Sequence, residues 1–218
     1  MDIFKYNGGT VIAMTGKDCV TIGSDLRSGE SFSTVGFADS KFKKVGERLY
    51  IGMGGFKADR KTVFEQFEQR KTLYELGENR PMSPKVAATI LSNILYQVAL
   101  TFCLLGKKLR TVFGPYYVNA IVAGLDQETG EPKLFSMDLI GAMTEPKDFV
   151  LAGTADQAMM AAAEAFYRPN MKAAELFEAG AQTLLAGLDR EAASGAGATF
   201  CTITKDKVNF KTIKARFD

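Results

Sequence analysis

The chain has 218 residues, 46% apolar and 24% charged, an ordinary balance for one globular domain with room for a substantial core. Its 27 basic and 25 acidic residues leave a net charge of +2, which favours no polyanionic partner, so no nucleic-acid role is expected. Histidine is absent, which removes Ser-His-Asp and Cys-His chemistry and the most usual zinc ligand; catalysis would have to rest on carboxylates, lysine or a free α-amine.

The longest apolar stretch, 94–105, is interrupted by Tyr96, Gln97 and Thr101 and falls short of the about 20 residues a membrane span needs. The start Met1-Asp2-Ile3-Phe4-Lys5 lacks both the basic opening and the apolar run of a secretory signal. Three cysteines, Cys19, Cys103 and Cys201, show no metal-ligand spacing. Cys19 and Cys201 fall in expected strands and read as buried free thiols in a reducing compartment.

Along the chain, two apolar runs at 11–14 and 19–23 flank the turn signal Thr15-Gly16-Lys17-Asp18 and predict a β-hairpin. Gly16-Lys17 lacks the spacing of a phosphate-binding loop and reads as part of that turn. A third strand is expected over 32–38 and a fourth over 48–53. Gly52-Met53-Gly54-Gly55 then turns the backbone tightly into a helix over 59–76, with Val63, Phe64, Phe67 and Tyr74 on one side. Ser83 as N-cap and Pro84 at the first helical position start a second helix, whose stripe runs through Val86, Ile90, Leu91, Ile94 and Leu95. Strands follow at 118–124 and 133–138, joined by the turn Asp126-Gln127-Glu128-Thr129-Gly130, and at 149–152. Two helices, 155–167 and 172–189, are separated by Pro169 and Asn170, and strands at 198–204 and 207–214 close the chain. The methionine and alanine run 159–163 reads as tight helix packing. Strands, two helices, strands, two helices, strands is an α+β order that suits two antiparallel sheets stacked between two helical layers. No linker divides it, so 1–218 is taken as one domain.

Residues 8–27, opening on Gly8-Gly9-Thr10 and ending on Ser24-Asp25-Leu26-Arg27, resemble the start of proteasome β subunits, members of the N-terminal nucleophile hydrolase superfamily. Several further blocks resemble the non-catalytic type-3 branch of that family. They are Tyr6-Asn7-Gly8-Gly9, Arg48-Leu49-Tyr50-Ile51-Gly52, Leu73-Tyr74-Glu75-Leu76, Phe113-Gly114-Pro115-Tyr116-Tyr117, Met137-Asp138-Leu139-Ile140-Gly141 and Lys214-Ala215-Arg216. The resemblance implies the four-layer αββα sandwich and a place in the 20S core particle. Partners would be other α and β subunits in a hetero-oligomeric ring that serves ATP- and ubiquitin-dependent protein degradation in cytoplasm and nucleus. It implies no cofactor, metal, nucleic acid or membrane partner. Residues 1–8 become a short N-terminal extension. The stretch 98–112 has no counterpart in the family pattern and reads as an insertion: either a longer second helix ending at Gly106-Lys107-Lys108, or an artefact of the gene model.

Active members of the family begin with a threonine exposed by self-cleavage after a glycine. Here the matching position is Gly9, which has no side chain to attack a carbonyl. Around it the resemblance assigns a degenerate shell. Asp25 is the buried carboxylate beside the nucleophile, and Lys41 is the lysine that sets its protonation. Gly55 is the glycine whose N–H forms the oxyanion hole, and Ser194 is a hydroxyl near the new N-terminus. Glu191 stands where an aspartate is usual, and Thr154 where a further serine is usual. Without the resemblance, Asp25, Arg27 and Lys41 read as a buried charge cluster that ties strands together. Thr10 offers an alternative nucleophile if cleavage follows Gly9, but strand alternation turns its side chain to the opposite face from Gly9. A free-standing binding protein on the same fold is a third reading. Asp138 is either a solvated turn carboxylate or, by resemblance, part of the lining of a neighbouring β subunit's substrate pocket.

Overall fold

The computed structural model describes residues 3–31, 33–105 and 114–216. A single turn of helix, α1 (Ile3–Tyr6), leads into the hairpin of β1 (Thr10–Thr15) and β2 (Cys19–Asp25). In this hairpin Val11 faces Ser24 and Thr15 faces Val20. A ribbon of two short strands follows, β3 (Ser28–Glu30) and β4 (Ser33–Gly36). Next come β5 (Phe42–Gly46), β6 (Leu49–Gly55), and the helices α2 (Lys57–Glu78) and α3 (Pro84–Leu105). The second half runs β7 (Val118–Leu125), β8 (Pro132–Met137), β9 (Met143–Thr144) and β10 (Phe149–Gly153). It ends with α4 (Asp156–Phe166), α5 (Ala173–Leu188), β11 (Ala198–Thr204) and β12 (Val208–Ile213).

Two five-stranded antiparallel sheets result, ordered β10-β1-β2-β11-β12 and β5-β6-β7-β8-β9. Three cores hold the layers. Val11, Ala13, Ile22, Tyr50, Ile121 and Cys201 pack between the sheets. Phe64, Phe67, Leu91, Ile94, Val122 and Phe135 join α2 and α3 to one sheet, while Ile12, Met14, Met159, Leu184 and Phe200 join α4 and α5 to the other. The alternation of β1 is plain in this division: Val11 and Ala13 enter the inter-sheet core, Ile12 and Met14 the helix-side core. Every residue of β1, β2 and β6 is buried, because helices or a second sheet cover both faces. This is the four-layer αββα sandwich expected from the element order.

The departures from the sequence reading are local. The strand expected over 32–38 is present as the shorter β4, but it pairs with the unexpected β3 in a ribbon separate from both main sheets, which turns at Ser31 in the left-handed region (φ 59°). Phe32 lies outside the described residues. β5 was not anticipated: Lys43 and Lys44 are both exposed between buried Phe42 and Val45, and a bulge shifts the register between Lys44 and Gly46, so the two-residue alternation is broken. The two-residue β9 is too short to leave a pattern. Helix α2 begins at Lys57, earlier than expected, and its N-cap residue Phe56 has no side-chain cap; the Asn7 side-chain oxygen accepts from the Lys57 N–H instead, at 2.9 Å. The Ser83 cap of α3 is as read, its hydroxyl accepting from the Val86 N–H at 3.4 Å. Helix α3 runs to Leu105; residues 106–113, which include the expected Gly106-Lys107-Lys108 end and Phe113, lie outside the described residues.

Candidate active site

The site forms where the start of β1, the end of β2 and the approach to β5 meet. β2 delivers Asp25 fully buried at its last position, and Lys41, just before β5, lies beside it with only 1% exposure. Lys41 Nζ is 3.1 Å from Asp25 Oδ1 and also donates to the backbone carbonyls of Asp25 (3.2 Å) and Arg27 (2.6 Å). Three donors thus meet three acceptors, the full capacity of an ammonium. Burial pulls the Lys41 ammonium below its ordinary value of 10.5, while the Asp25 carboxylate pulls the other way. The Lys41 N–H is held in turn by the Ser24 hydroxyl at 3.1 Å.

Asp25 is a hub of backbone contacts. Oδ1 accepts from the Thr10 N–H (2.9 Å), and Oδ2 accepts from the N–H groups of Arg27 and Gly195 (both 3.2 Å). Arg27 is buried too, but its guanidinium turns away from Asp25. It donates to the carbonyls of Ala193 (2.9 Å), Ser31 and Ser33 (both 3.2 Å) and to the Thr34 hydroxyl (3.0 Å). The charge cluster read from sequence is therefore a Lys41–Asp25 pair. Arg27 pins the β3–β4 ribbon instead.

Gly9 faces Lys41: a Cβ built there would lie 2.6 Å from Lys41 Cε, on a backbone with φ +110°. Thr10 points elsewhere. Its hydroxyl is 2.9 Å from the Ser194 hydroxyl and accepts from the Ala155 N–H at 3.2 Å; Ser194 in turn lies 2.9 Å from the Thr154 hydroxyl. Successive residues of β1 thus address two different groups, a lysine–carboxylate pair and a run of three hydroxyls. The Gly9 carbonyl accepts from the Thr154 N–H at 3.2 Å, which fixes the peptide between Gly9 and Thr10 against β10.

The remaining positions are more dispersed. Gly55 closes β6 opposite Val118 with φ +112°, immediately before Phe56 and α2. Glu191 turns back on its own loop, its carboxylate accepting from the Ala193 N–H at 3.0 Å beside a polar pocket of about 430 Å³ that Ser194 and Arg216 also line. Asp138 lies away from this group on an exposed turn, where Oδ1 accepts from the N–H groups of Ile140 (3.1 Å) and Ala142 (2.8 Å). Asn7 and Ser24 were missed by sequence reasoning. The Asn-Gly step at 7–8 is a turn signal, but nothing in it tells that the amide caps a helix fifty residues on. No group of three or more cysteine, aspartate or glutamate side chains able to hold a metal occurs among the described residues. The arrangement is a buried lysine–carboxylate pair and a hydroxyl network around a position that carries no side chain.

A scan against protein families matches residues 5–203 to "Proteasome subunit". Among curated proteins, the "Proteasome subunit beta type-3" of Caenorhabditis elegans is 47% identical over 218 residues, covering all of both chains. Proteins of the same name from Drosophila melanogaster and Trypanosoma brucei brucei are 40% and 35% identical, again over the whole of both chains.

Proposed function

The chain belongs to the proteasome subunit family, and on that premise we propose that it is a structural, non-catalytic β subunit of the core particle. It fills a position in a hetero-oligomeric ring with other α and β subunits and supports protein degradation by threonine-protease neighbours, in cytoplasm and nucleus. The names of its full-length relatives support the β type-3 assignment. The observation that carries the non-catalytic reading is Gly9: the direction that faces Lys41 belongs to a residue with no nucleophile. Thr10 has a hydroxyl, but that hydroxyl is engaged by Ser194 and the Ala155 N–H.

Intact mass and N-terminal sequencing of the native protein test this reading, together with a threonine-directed covalent probe. An uncleaved, unlabelled chain inside a particle of subunits is the expected result. A chain beginning at Thr10 that takes the probe overturns it in favour of a self-processing peptidase, and elution as a monomer favours a free-standing binding protein. Asp138 is assigned to the rim of a neighbouring subunit's pocket, where a carboxylate favours basic side chains. Asp138→Asn keeps an oxygen for the two turn N–H groups and removes only the charge. It is expected to weaken cleavage after basic residues by the assembled particle; unchanged rates count against the assignment.

A further inference from the structure

Asn7-Gly8 is the only Asn-Gly step in the chain. Glycine offers the side chain before it an unhindered backbone nitrogen, which makes this pair the dipeptide most prone to lose its amide. The Gly8 nitrogen attacks the Asn7 side-chain carbonyl carbon, a C–N bond forms, and the Asn7 nitrogen leaves as ammonia. Water then opens the cyclic imide to aspartate or isoaspartate. No other co-reactant is needed.

The fold calls for both residues. The Asn7 NH₂ donates to the Gly29 carbonyl at 3.0 Å, and its side-chain oxygen accepts from the Lys57 N–H at 2.9 Å. A carboxylate in its place can make the second bond but not the first. At position 8 the backbone has φ +65°, and a Cβ there would collide with the Ala193 carbonyl, so a side chain is excluded. The reactive pair is therefore dictated by the structure, and the same contacts hold it still. Attack makes the flat amide carbon tetrahedral and expels the nitrogen that is bonded to Gly29. An amide pinned at both ends, next to a backbone wedged against Ala193, resists that change until the contacts open.

We propose that Asn7 is a deamidation site that the fold itself holds in check, so that conversion marks chains that have spent time open at this junction. The product also alters the junction. Aspartate at position 7 still accepts from the Lys57 N–H, where a carboxylate suits the N-terminus of α2, but it turns a lone pair toward the Gly29 carbonyl and releases the β3–β4 ribbon. The neighbouring bond from the Ser31 N–H to the Tyr6 carbonyl, at 2.6 Å, is the next to loosen. The site belongs to the single chain and stands apart from the structural-subunit reading.

Mass spectrometry of the purified full-length chain tests it. The chain is incubated at neutral pH, either folded or in guanidinium chloride, and all samples are digested identically. The tryptic peptide from Tyr6 to Lys17 then separates into amide, aspartate and isoaspartate forms. Conversion is expected to be at least about tenfold slower in the folded chain. Asn209, hindered by the bulky Phe210 after it, is the control that keeps its amide in both. Lys57→Pro removes the N–H from which Asn7 accepts, at a first helical position that tolerates proline, after a Phe56 that is already extended. Lys57→Ala keeps that N–H and removes the same side-chain contacts. The folded proline variant is expected to deamidate at least about threefold faster than the alanine variant. Protection of the Thr10 amide, bonded to Asp25, from hydrogen exchange reports an intact fold in both. Asn7→Asp, the product itself, is expected to speed exchange at Ser31 while leaving Lys57 and Thr10 protected. Equal deamidation of folded and unfolded chains overturns the proposal, as does equal deamidation of the two Lys57 variants with Thr10 protected. If Lys57→Pro does not fold, the comparison of folded and unfolded unaltered chain decides alone. Unchanged exchange at Ser31 in Asn7→Asp overturns the release of the ribbon.

Discussion

Two lysine–carboxylate pairs lie almost side by side in this chain, one dry and one wet. Lys41 and Asp25 are 3.1 Å apart with no side-chain exposure on either partner. Lys57 and Asp39 are 3.5 Å apart, with 50% and 20% of their side chains exposed. The charges are the same, but their alternatives differ. If Lys57 is lost, water solvates Asp39 and Arg60 remains bonded to it at 2.9 Å. If Lys41 is lost, nothing replaces it, and Asp25 is left as a buried anion among backbone N–H groups. The difference teaches that the first pair is part of the fold's interior and the second an adjustment at its surface.

The largest expected effect comes from splitting the dry pair. Lys41→Met should cost about 3–5 kcal/mol in urea unfolding, because an uncompensated buried charge remains. Adding Asp25→Asn to Lys41→Met should recover part of that loss, giving a coupling energy of about 0.5–3 kcal/mol. A cost for Lys41→Met no greater than that of a surface pair would erase the contrast between the two sites.

Filling the vacancy beside the dry pair should come next. Gly9→Ala forces a side chain onto φ +110° and toward Lys41 Cε at 2.6 Å, so a loss of about 1–3 kcal/mol is expected. Gly36→Ala is the control. A Cβ there meets only the Ser28 Cβ at 3.9 Å, and its effect should stay within about 0.5 kcal/mol. Equal costs at the two glycines would show that the space facing Lys41 is not a constrained one.

At the wet pair the effects are smaller and depend on conditions. Lys57→Ala should cost about 0–1 kcal/mol and less at high salt. Burial alone would raise the Asp39 carboxyl, but Arg60, through its charge and hydrogen bond, together with Lys41 and Lys57, outweighs burial and holds it below its ordinary 3.8. A carboxyl depressed in the folded state contributes stability that is fully present above 3.8 and lost as the pH falls through its folded value. The stability gap between the unaltered chain and Asp39→Asn should therefore be constant near about pH 6 and close as the pH falls below 3.8 and through the lowered folded value. A gap independent of pH would mean that the Asp39 charge contributes nothing there.

How far the sequence could be read follows the same division between local and distant causes. Ser83-Pro84 starts α3 because cap and first turn are adjacent in sequence, and Pro169-Asn170 ends α4 for a similar reason, with Asn170 at φ 62°. The β1–β2 hairpin was legible from its turn. β5 was not, because its bulge exposes two lysines in succession and cancels the alternation. At the site, composition and spacing left Asp25, Arg27 and Lys41 as one charge cluster; only geometry separates Arg27, which bonds to carbonyls, from the Lys41–Asp25 pair. The opposed directions of Gly9 and Thr10 were legible, since they need only the period of a strand. The hydroxyl run of Thr10, Ser194 and Thr154 joins residues from three distant stretches, and no pattern in any one of them announces it.

The smallest effect concerns the stretch 98–112, through the reactivity of Cys103. Cys103 is exposed on α3, whereas Cys19 and Cys201 are buried. Burial pushes the Cys19 thiol up, and pushes that of Cys201 up to about 11, so neither offers an accessible thiolate near neutral pH. In the folded chain iodoacetamide should therefore label Cys103 alone. Protein isolated from its native source, denatured and then alkylated, should carry three labels if 98–112 is retained in the mature chain. It should carry two if that stretch is a gene-model artefact, with the peptide spanning Tyr96 to Arg110 missing from the digest. Rapid labelling of Cys201 in the folded chain would instead contradict its burial between the two sheets, and with it the packing that orders β2 and β11 beside the site.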